Sequence, residues 1–499
     1  MFGKKKMAAA SERENYAQNV DPLAEVPKSK WERIWPAMAC GSGLFSDGYI
    51  NNVIGSVSTC LKTLYGKAYT ESNAQKNVSA ITFAGTVLGM AVFGYTSDKW
   101  SRSNSLLVST IILIVFAALG AGSYGAGGNL QGMFAALTAY RFLVGIGIGG
   151  EYPAGSVACS EATGELKAGS RNRWFILFTN VMIDCGFVIG AFVPYVLVVI
   201  CTDSHLRAVW RISLGLGVIP PLSLLWLRIK LKEPEEFTRE SMKHVKVPYL
   251  LVLKYYGFRL FIVSLIWFIY DFSTYSFGIF SSTILSNILP ADASLAQSFG
   301  WNTVINLFYI PGAFLGSFYS DLVGPKMALA SGVFVQGIVG FIMAGLYPTL
   351  AQASHVGGFA VVYGIFLSLG ELGPGDNIGL CASKSCATGV RGQYYAFAAA
   401  VGKIGAFVGT YIFPYIEKSG GKSVNTSAQY PFYVSSALCV FSAIIAFAFL
   451  PYIGQDTITT EDIKFREYLE AHGWDTRQLG LQRGESLERE ELRIEKLDS

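Results

Sequence analysis

Long apolar runs alternate with short polar segments along almost the whole 499-residue chain. Each run is close to, or longer than, the roughly 20 apolar residues that a helix needs to cross a membrane. Twelve runs can be distinguished, and the charged segment 231–258 separates the first six from the last six. The pattern therefore predicts an all-α membrane protein with twelve transmembrane helices in two six-helix halves.

The predicted helices and the segments around them divide the chain into five parts. The helices are expected over 34–61, 77–97, 104–123, 132–158, 173–201, 209–230, 259–289, 301–320, 327–347, 357–382, 393–416 and 430–452. The parts are an N-terminal tail (1–33), an N-terminal half (34–230), a central loop (231–258), a C-terminal half (259–452) and a C-terminal tail (453–499). Most of the 39 lysines and arginines fall in the tails, the central loop and the loops on the same side. We therefore expect both termini to be cytosolic.

The composition agrees with a membrane protein and argues against several other classes. Hydrophobic residues make up 52% of the chain and charged residues 15%, against about 25% charged residues in soluble domains. The net charge of +4 is too small to indicate a nucleic-acid partner. The 8 cysteines and 4 histidines show no metal-binding spacing, and no nucleophile–base pair is visible. We therefore expect no metal, no cofactor and no enzyme activity.

A turn motif recurs at matching positions in the two halves. Residues 94–102 follow the second predicted helix and residues 316–326 follow the eighth, and each contains a glycine, an aspartate and basic residues. The aspartate can cap the next helix and pair with a basic side chain, which would latch an inner gate. The candidate gating residues are Asp98, Arg102, Asp321, Lys326 and Arg391. The repeat resembles the signature of the major facilitator superfamily.

Ionisable side chains inside the apolar runs are costly in a membrane, so they are functional candidates. Asp47 and Asn51 are four residues apart on the first predicted helix and share a face. Asp47 is a candidate proton carrier, the alternative being a carboxylate paired with a neighbouring helix. Glu151, beside Pro153, is the second candidate, the alternative being a helix cap or a gate residue. We expect Arg141 to pair with a carboxylate, with attraction of an anion as the alternative.

Three side chains form a stripe on the seventh predicted helix. Trp267, Asp271 and Tyr275 are spaced at i, i+4 and i+8, so they lie on one face. Aromatic stripes are usually part of a core, but the aspartate between the two aromatic residues favours a substrate-binding wall.

The tenth and eleventh predicted helices carry features of an anion site. The string Gly373-Pro374-Gly375 predicts a helix break near the middle of the membrane, where exposed N–H groups can bind anions. Asp376 is expected to cap the second part of that helix or to contact a ligand, and Asn377 to hydrogen-bond the substrate. Lys403 is the only lysine in the interior of a predicted helix. It suits a phosphate or carboxylate group, and the alternative is an ion pair with Asp271 or Asp376.

Several strings resemble those of the phosphate:proton symporter branch of the major facilitator superfamily, and more closely those of the fungal glycerophosphodiester permeases. The strings are Ser46 to Tyr49, Gly145 to Pro153, Tyr270-Asp271, Gly278 to Thr283, Gly373 to Asp376, Val390 to Gly392 and Gly402 to Gly405. The resemblance covers nearly all of residues 35–475.

The resemblance assigns roles and also shows departures. It implies functional acids at Asp47, Glu151 and Asp271, a functional lysine at Lys403, and aromatic site residues at Trp267 and Tyr275. The chain has Ile50 where the phosphate carriers have a second aspartate, and Asp184 or Ile183 where they have a glutamine. These departures fit an organic phosphodiester better than free phosphate.

The function implied by the resemblance is a proton-coupled symporter that imports glycerophosphodiesters across the plasma membrane by alternating access. Lys403 and Asn377 would bind the diester, and Asp47 and Glu151 would take up protons. The other candidate substrate residues are Tyr49, Asn51, Tyr152, Asn180, Asp184 and Tyr394. These could serve an inositol or a choline head group, and the sequence does not choose between them.

Two alternatives remain open at this stage. One is uptake of inorganic phosphate by the same machinery, and the other is a non-transporting nutrient receptor. The expected partners are the diester, protons and the lipid bilayer. We expect no nucleic-acid partner, and we expect the protein to be a monomer.

Overall fold

The computed structural model describes residues 30–167, 169–286, 288–290, 292–421, 423–454 and 457–476, and residue 479. Most of the predicted N-terminal tail and the last part of the predicted C-terminal tail therefore lie outside the described residues. Within the described part of the chain the secondary structure is helical, without strands.

The N-terminal half contains the first six predicted transmembrane segments. Its helices are α1 (Lys30–Gly41), α2 (Phe45–Tyr65), α3 (Lys67–Thr70), α4 (Ala74–Lys99), α5 (Arg102–Ala121), α6 (Leu130–Gly150), α7 (Val157–Ala162), α8 (Arg171–Phe178), α9 (Asn180–Cys201), α10 (Leu206–Gly215) and α11 (Ile219–Ile229). Short polar side chains fix two of the starts. Ser101 Oγ accepts the N–H of Asn104 at 3.0 Å before α5, and Asn129 Oδ1 accepts the N–H of Gln131 at 3.0 Å before α6.

The C-terminal half repeats this arrangement after the central loop. Its helices are α12 (Glu235–Glu240) in the loop, then α13 (Tyr249–Ser286), α14 (Leu295–Leu307), α15 (Tyr309–Val323), α16 (Pro325–Leu350), α17 (Val356–Gly370), α18 (Asp376–Lys384), α19 (Arg391–Ser419), α20 (Val424–Phe449) and, in the tail, α21 (Thr457–Ala471).

Ten helical segments among the described residues are long and apolar enough to cross a membrane. The predicted spans 34–61 and 301–320 are helical but are not among the ten. The first carries Asp47 and Asn51, and the second carries Asn302 and Asn306. These polar side chains lower the mean hydropathy of both spans.

The tenth predicted helix is not broken, contrary to the expectation drawn from Gly373-Pro374-Gly375. Helix α17 continues through a π-helical turn, Glu371–Gly375, into α18. The wider π turn accommodates Pro374 without separating the two parts, so the expected row of free N–H groups is not formed. A second π turn, Glu151–Ser156, connects α6 to α7 in the other half. Equivalent turns thus begin with a glutamate in each half.

Two pairs of helices make the most extensive contacts between the halves. Helix α4 packs against α19, and α9 packs against α14. Helices α8 and α15, and α2 and α13, add further contacts. Helices α2, α13 and α19, together with the π turn after α6, bring polar side chains to the middle of the bundle, where the candidate site lies.

Candidate functional site

A small cavity of about 40 Å³ lies between the two halves. It has room for on the order of one water molecule, so the site is closed in this conformation. The predicted residues that line it are Tyr152, Asn180, Trp267, Asp271, Tyr275, Asp376 and Lys403. Glu371, Tyr270 and Tyr395 also line it, although the sequence did not single them out as substrate residues.

Lys403 is the cation of this cavity. Its side chain is 1% exposed, and Nζ lies 3.5 Å from Asp47 Oδ2 and 3.5 Å from Asp271 Oδ2. Nζ also donates to the hydroxyl of Tyr275 and lies 4.9 Å from the ring centroid of Tyr152. One lysine therefore balances two carboxylates that come from different halves of the protein.

Asp47 is held by donors as well as by the lysine. It accepts hydrogen bonds from Asn51 Nδ2 at 2.5 Å, from Tyr275 OH at 2.9 Å and from Tyr152 OH. Helix α2 and the π turn after α6 contribute partners from the N-terminal half, and α13 contributes one from the C-terminal half, so the hydrogen bonds of Asp47 join the two halves.

Glu371 and Asp376 line another wall of the cavity. With Asp184, which is buried near them but is not among the lining residues, we call them the carboxyl cluster. Asn180 Nδ2 donates to Glu371 Oε2 at 3.1 Å and to Asp376 Oδ1 at 2.8 Å. Tyr270 OH lies 3.0 Å from each oxygen of Glu371. Asp184 is fully buried, and neither of its carboxyl oxygens has a hydrogen-bond partner.

Glu151, the second predicted proton carrier, lies in a buried ion pair. Arg228 NH1 and NH2 are 2.5 Å and 2.6 Å from its two carboxyl oxygens, and Ser109 Oγ is 3.0 Å from Oε1. A Cβ at Gly43 would lie 2.0 Å from Glu151 Oε2, so this glycine makes room for the pair. Arg228 is not recognisable from the sequence as a partner of Glu151. It stands at the end of the sixth predicted helix, next to the charged central loop, where a basic residue is ordinary.

Arg141 does not form the expected pair with a carboxylate. Its Nε donates to the carbonyl oxygen of Val78 at 2.6 Å, and NH1 donates to that of Ile50 at 3.3 Å. In the described part of the chain, Arg141 is therefore held by backbone carbonyl groups of neighbouring helices, where the expected partner was a carboxylate.

Five predicted substrate residues are not among those that line the cavity: Tyr49, Asn51, Asp184, Asn377 and Tyr394. Tyr49 and Asn377 make contacts inside their own halves. The hydroxyl of Tyr49 donates to the carbonyl oxygen of Ser213 at 2.6 Å, inside the N-terminal half. Asn377 is fully buried, and its Nδ2 donates to the carbonyl oxygen of Gly373 one helical turn earlier. Both side chains therefore stabilise helix packing in this conformation.

Tyr394 also faces away from the cavity. It packs edge-on against Tyr256, with ring centroids 6.0 Å apart, in the cluster that receives α21. The next residue, Tyr395, lines the cavity and packs edge-on against Trp267 at 5.4 Å. The rotation of α19 decides which of the two adjacent tyrosines can meet a ligand.

Asp98 closes one end of the bundle. It stands at the end of α4 and accepts the N–H groups of Gly392 at 3.0 Å and Gln393 at 2.9 Å, which begin α19. A Cβ at residue 392 would lie 2.4 Å from Asp98 Oδ1, so this approach requires glycine. The predicted gating aspartate thus joins the two halves directly.

Buried ion pairs reinforce this gate. Arg102 donates to Asp98 Oδ1 at 3.0 Å and to Glu161 Oε2 at 2.8 Å. Glu161 Oε1 accepts NH1 of Arg391 at 2.9 Å from the other half. Glu161 lies just beyond the end of the predicted fourth helix, so it does not stand out as a charge inside an apolar run.

The matching turn of the C-terminal half contacts the N-terminal half through Asp321. Its Oδ2 lies 3.9 Å from Nε of Arg173 on α8, and its Oδ1 accepts the backbone N–H of Arg173 at 3.4 Å. Lys326 forms no ion pair with the other described residues. Asp321 thus also joins the two halves.

The opposite end of the bundle contains a larger cavity of about 520 Å³, lined by both halves and including Lys62 and Lys76. Tyr275 packs against Phe83 and Phe187, with ring centroids 5.1 and 6.0 Å apart, between this cavity and the small one. The structure is therefore closed at the gate, occluded in the middle and open at the far end.

Comparison with known proteins identifies the relatives of the chain. The sugar (and other) transporter family matches residues 35–246 and 232–463. A glycerophosphocholine permease of Candida albicans is 52% identical, with 91% of this chain and 85% of that protein covered. A major glycerophosphoinositol permease of the same organism is 51% identical, with 94% and 88% covered. The proton:xylose symporter XylE, bound to 6-bromo-6-deoxy-D-glucose, is 17% identical and has the same fold, with a TM-score of 0.71 over 89% of this chain and 98% of that one.

Proposed function

The chain belongs to the sugar (and other) transporter family of the major facilitator superfamily, and we propose that it is a proton-coupled symporter that imports glycerophosphodiesters. The predicted twelve-helix major facilitator fold is confirmed. The relatives are named as permeases and transporters, so the chain is a membrane transporter and not an enzyme, as the sequence predicted. Relatives at 52% and 51% identity that are named for glycerophosphodiester substrates support the choice of substrate class.

The observation that carries the proposal is the position of Lys403. A buried lysine between Asp47 and Asp271 faces the cavity at the middle of the bundle. A phosphodiester brings one negative charge and two free oxygens, which an ammonium group binds through charge-assisted hydrogen bonds. Trp267 and Tyr275 would enclose the rest of the ligand, and the cavity would widen when the halves separate.

The proton enters this scheme at Asp47. Protonation of Asp47 removes one of the two anionic partners of Lys403, and the lysine can then donate to a phosphodiester oxygen without an excess of negative charge around it. The proton and the substrate therefore favour the same loaded state, which is the requirement for symport. Glu151 remains the second proposed proton site, on the condition that the Arg228 pair opens during the cycle.

Alternating access follows from the two ends of the bundle. The gate at Asp98 lies beside α21, since Asp462 of that helix accepts the N–H of Thr388 at 2.6 Å next to α19. We place this end and both tails in the cytosol of a plasma-membrane protein that works as a monomer. The halves are residues 34–230 and 259–452.

Uptake by cells that express the chain and lack their own carriers tests the proposal. We expect uptake of labelled glycerophosphodiester that increases in acidic medium, and we expect Lys403→Ala to abolish it while the protein still reaches the cell surface. Lys418→Ala, at the exposed end of the same helix, is the matched control and should leave uptake unchanged.

Three results would contradict this scheme. Full uptake by Lys403→Ala with unchanged KM would remove the lysine from the site. Uptake of inorganic phosphate but of no diester would favour the phosphate alternative. No uptake of either by protein at the cell surface would favour a receptor.

A further inference from the structure

The cavity of about 520 Å³ at the far end of the bundle adjoins the closed site along two helices, and we call it the vestibule. On α13, Ile279 lines the vestibule and stands one helical turn after Tyr275, which lines the small cavity. On α19, Thr410 lines the vestibule two turns after Lys403. With the gate in the cytosol, the vestibule opens to the cell exterior, so a substrate that reaches Lys403 from outside passes through it.

Two lysines of the N-terminal half line the vestibule. Lys62 stands in the last turn of α2 and Lys76 in the first turn of α4, and both side chains are exposed. Neither forms an ion pair with another residue that the structure describes. Lys67, on the short helix α3 between them, pairs with Glu71 at 3.5 Å and does not line the vestibule. The lysines that face the vestibule are therefore the ones whose charge is not balanced by a neighbouring acid.

Glu417 is the single acid among the described residues that line the vestibule. Its charge interacts with that of Lys418, the next residue, which is not part of the lining. Nζ of Lys76 lies instead 5.5 and 5.6 Å from the ring centroids of Tyr411 and Tyr415 of the C-terminal half, and 3.4 Å from the hydroxyl of Tyr415. Aromatic faces attract an ammonium group without neutralising it, so its charge stays available to an anion.

The size and the lining of the vestibule suit a small organic anion. Its volume lies within the roughly 300–1,000 Å³ that small-molecule sites occupy. Gln75, Ser79 and Ser298 line it with uncharged polar side chains, and Phe280 adds apolar surface. The small cavity at Lys403 has room for on the order of one water molecule. In this conformation the vestibule is therefore the part of the path that can accommodate a diester.

We propose that Lys62 and Lys76 bind the phosphodiester in the vestibule before the central site opens, so that the substrate approaches Lys403 in two steps. The inference rests on the proposed function, because it takes a glycerophosphodiester as the ligand. Positive charge in a cleft raises the local concentration of an anion and its rate of association. The two ammonium groups donate to the phosphate oxygens, and Lys403 takes over the phosphate when Tyr275 moves aside.

The charge of the vestibule can be measured without relying on transport. A cysteine is introduced by Ser298→Cys, and its labelling rates by an anionic and by a cationic methanethiosulfonate reagent are compared, with the parent protein as the background. Combining Lys62→Gln with Lys76→Gln should lower the ratio of the anionic to the cationic rate by roughly fivefold or more at low ionic strength. Lys67→Gln is the matched control and should leave the ratio unchanged, because this lysine is already paired outside the vestibule.

Binding of the diester is tested by protection and by uptake. Glycerophosphoinositol should slow the labelling of Ser298→Cys by a neutral methanethiosulfonate reagent, both in the otherwise wild-type protein and in Lys403→Ala, and the double lysine variant should lose this protection. In uptake assays the double variant should raise the KM for each diester that the wild type takes up, by about three- to tenfold for the anionic inositol diester, with little change in Vmax. High ionic strength should reduce the difference. Both lysines are exposed, so neither substitution should affect folding.

Four results would overturn the vestibule site and leave the proposed function intact. They are an unchanged labelling ratio in the double variant, protection that persists in the double variant, protection that disappears in Lys403→Ala, and an unchanged KM for the inositol diester in the double variant. Wild-type protein at the cell surface that is protected by glycerophosphoinositol but takes up no diester would instead overturn the proposed function and leave the binding site.

Discussion

The buried ion pair between Arg228 and Glu151 leads to a prediction about stability. Arg228→Met should destabilise the protein strongly, because it leaves the carboxylate of Glu151 buried with only Ser109 as a partner. Adding Glu151→Gln should restore most of the loss, because the charge is then removed together with its missing counter-charge.

The magnitude follows from the geometry and from the complete burial of the pair. Both side chains are 1% exposed and both guanidinium nitrogens contact carboxyl oxygens, so solvent screening does not weaken the interaction. Breaking such a pair costs about 3–5 kcal/mol, whereas replacing both members is often nearly neutral. Arg228 also donates to Thr110 Oγ1 at 2.7 Å. The double variant should therefore keep a loss of only ~1–2 kcal/mol.

The assay is thermal unfolding of the purified protein in detergent, followed by intrinsic fluorescence or by the amount that remains monodisperse after heating. Because the entropy of unfolding grows with chain length, a loss of about 3–5 kcal/mol in a chain of 499 residues should lower Tm by roughly 3–5 °C for Arg228→Met, and by much less for the double variant. Thr110→Val is the matched control, since it removes one hydrogen bond of Arg228 and should cost about 1 kcal/mol.

Two results would refute this reasoning. One is a Tm of Arg228→Met within error of the wild type, which would mean that the pair is open or solvated in the native protein. The other is a double variant whose loss equals the sum of the losses of Arg228→Met and Glu151→Gln, because the coupling energy is then near zero and the two residues do not interact.

Two further predictions concern the gate and the proton. Gly392→Ala should open the gate, because the added methyl group would lie 2.4 Å from Asp98 Oδ1. In the closed state, burial raises the pKa of the Cys386 thiol, so faster labelling of Cys386 would show the opening. An unchanged labelling rate would contradict the prediction. Asp47→Asn should remove most of the stimulation of diester uptake by acidic medium, since it fixes the partner of Lys403 in a neutral form; uptake with the full pH response would exclude Asp47 as the coupling acid.

Much of the architecture follows from local features of the chain. A helix that crosses a membrane must satisfy its own backbone, so the spans show directly as apolar runs of fixed length. The same regularity places Trp267, Asp271 and Tyr275 on one face, and the structure puts all three at the cavity. The cost of a lone charge in lipid is enough to predict that Lys403 has a partner.

Local sequence features do not predict how one helix adjusts its shape and rotation when it packs against another. The string Gly373-Pro374-Gly375 predicts a break, but packing allows a π turn that keeps the helix continuous. Tyr394 and Tyr395 are identical neighbours in the sequence. Only the rotation of α19 about its axis decides that Tyr395 faces the cavity.

The sequence by itself determined the helices, their division into two halves, and most of the charges inside the spans, but not Arg228 or Glu161 at their ends. Only the tertiary structure decided which charges meet. Lys403 pairs with Asp47, 356 positions away, and Arg228 with Glu151, 77 positions away. The physical reason is that a helix fixes the order of side chains on its own surface, whereas the partner of each charge depends on how neighbouring helices pack and rotate against it.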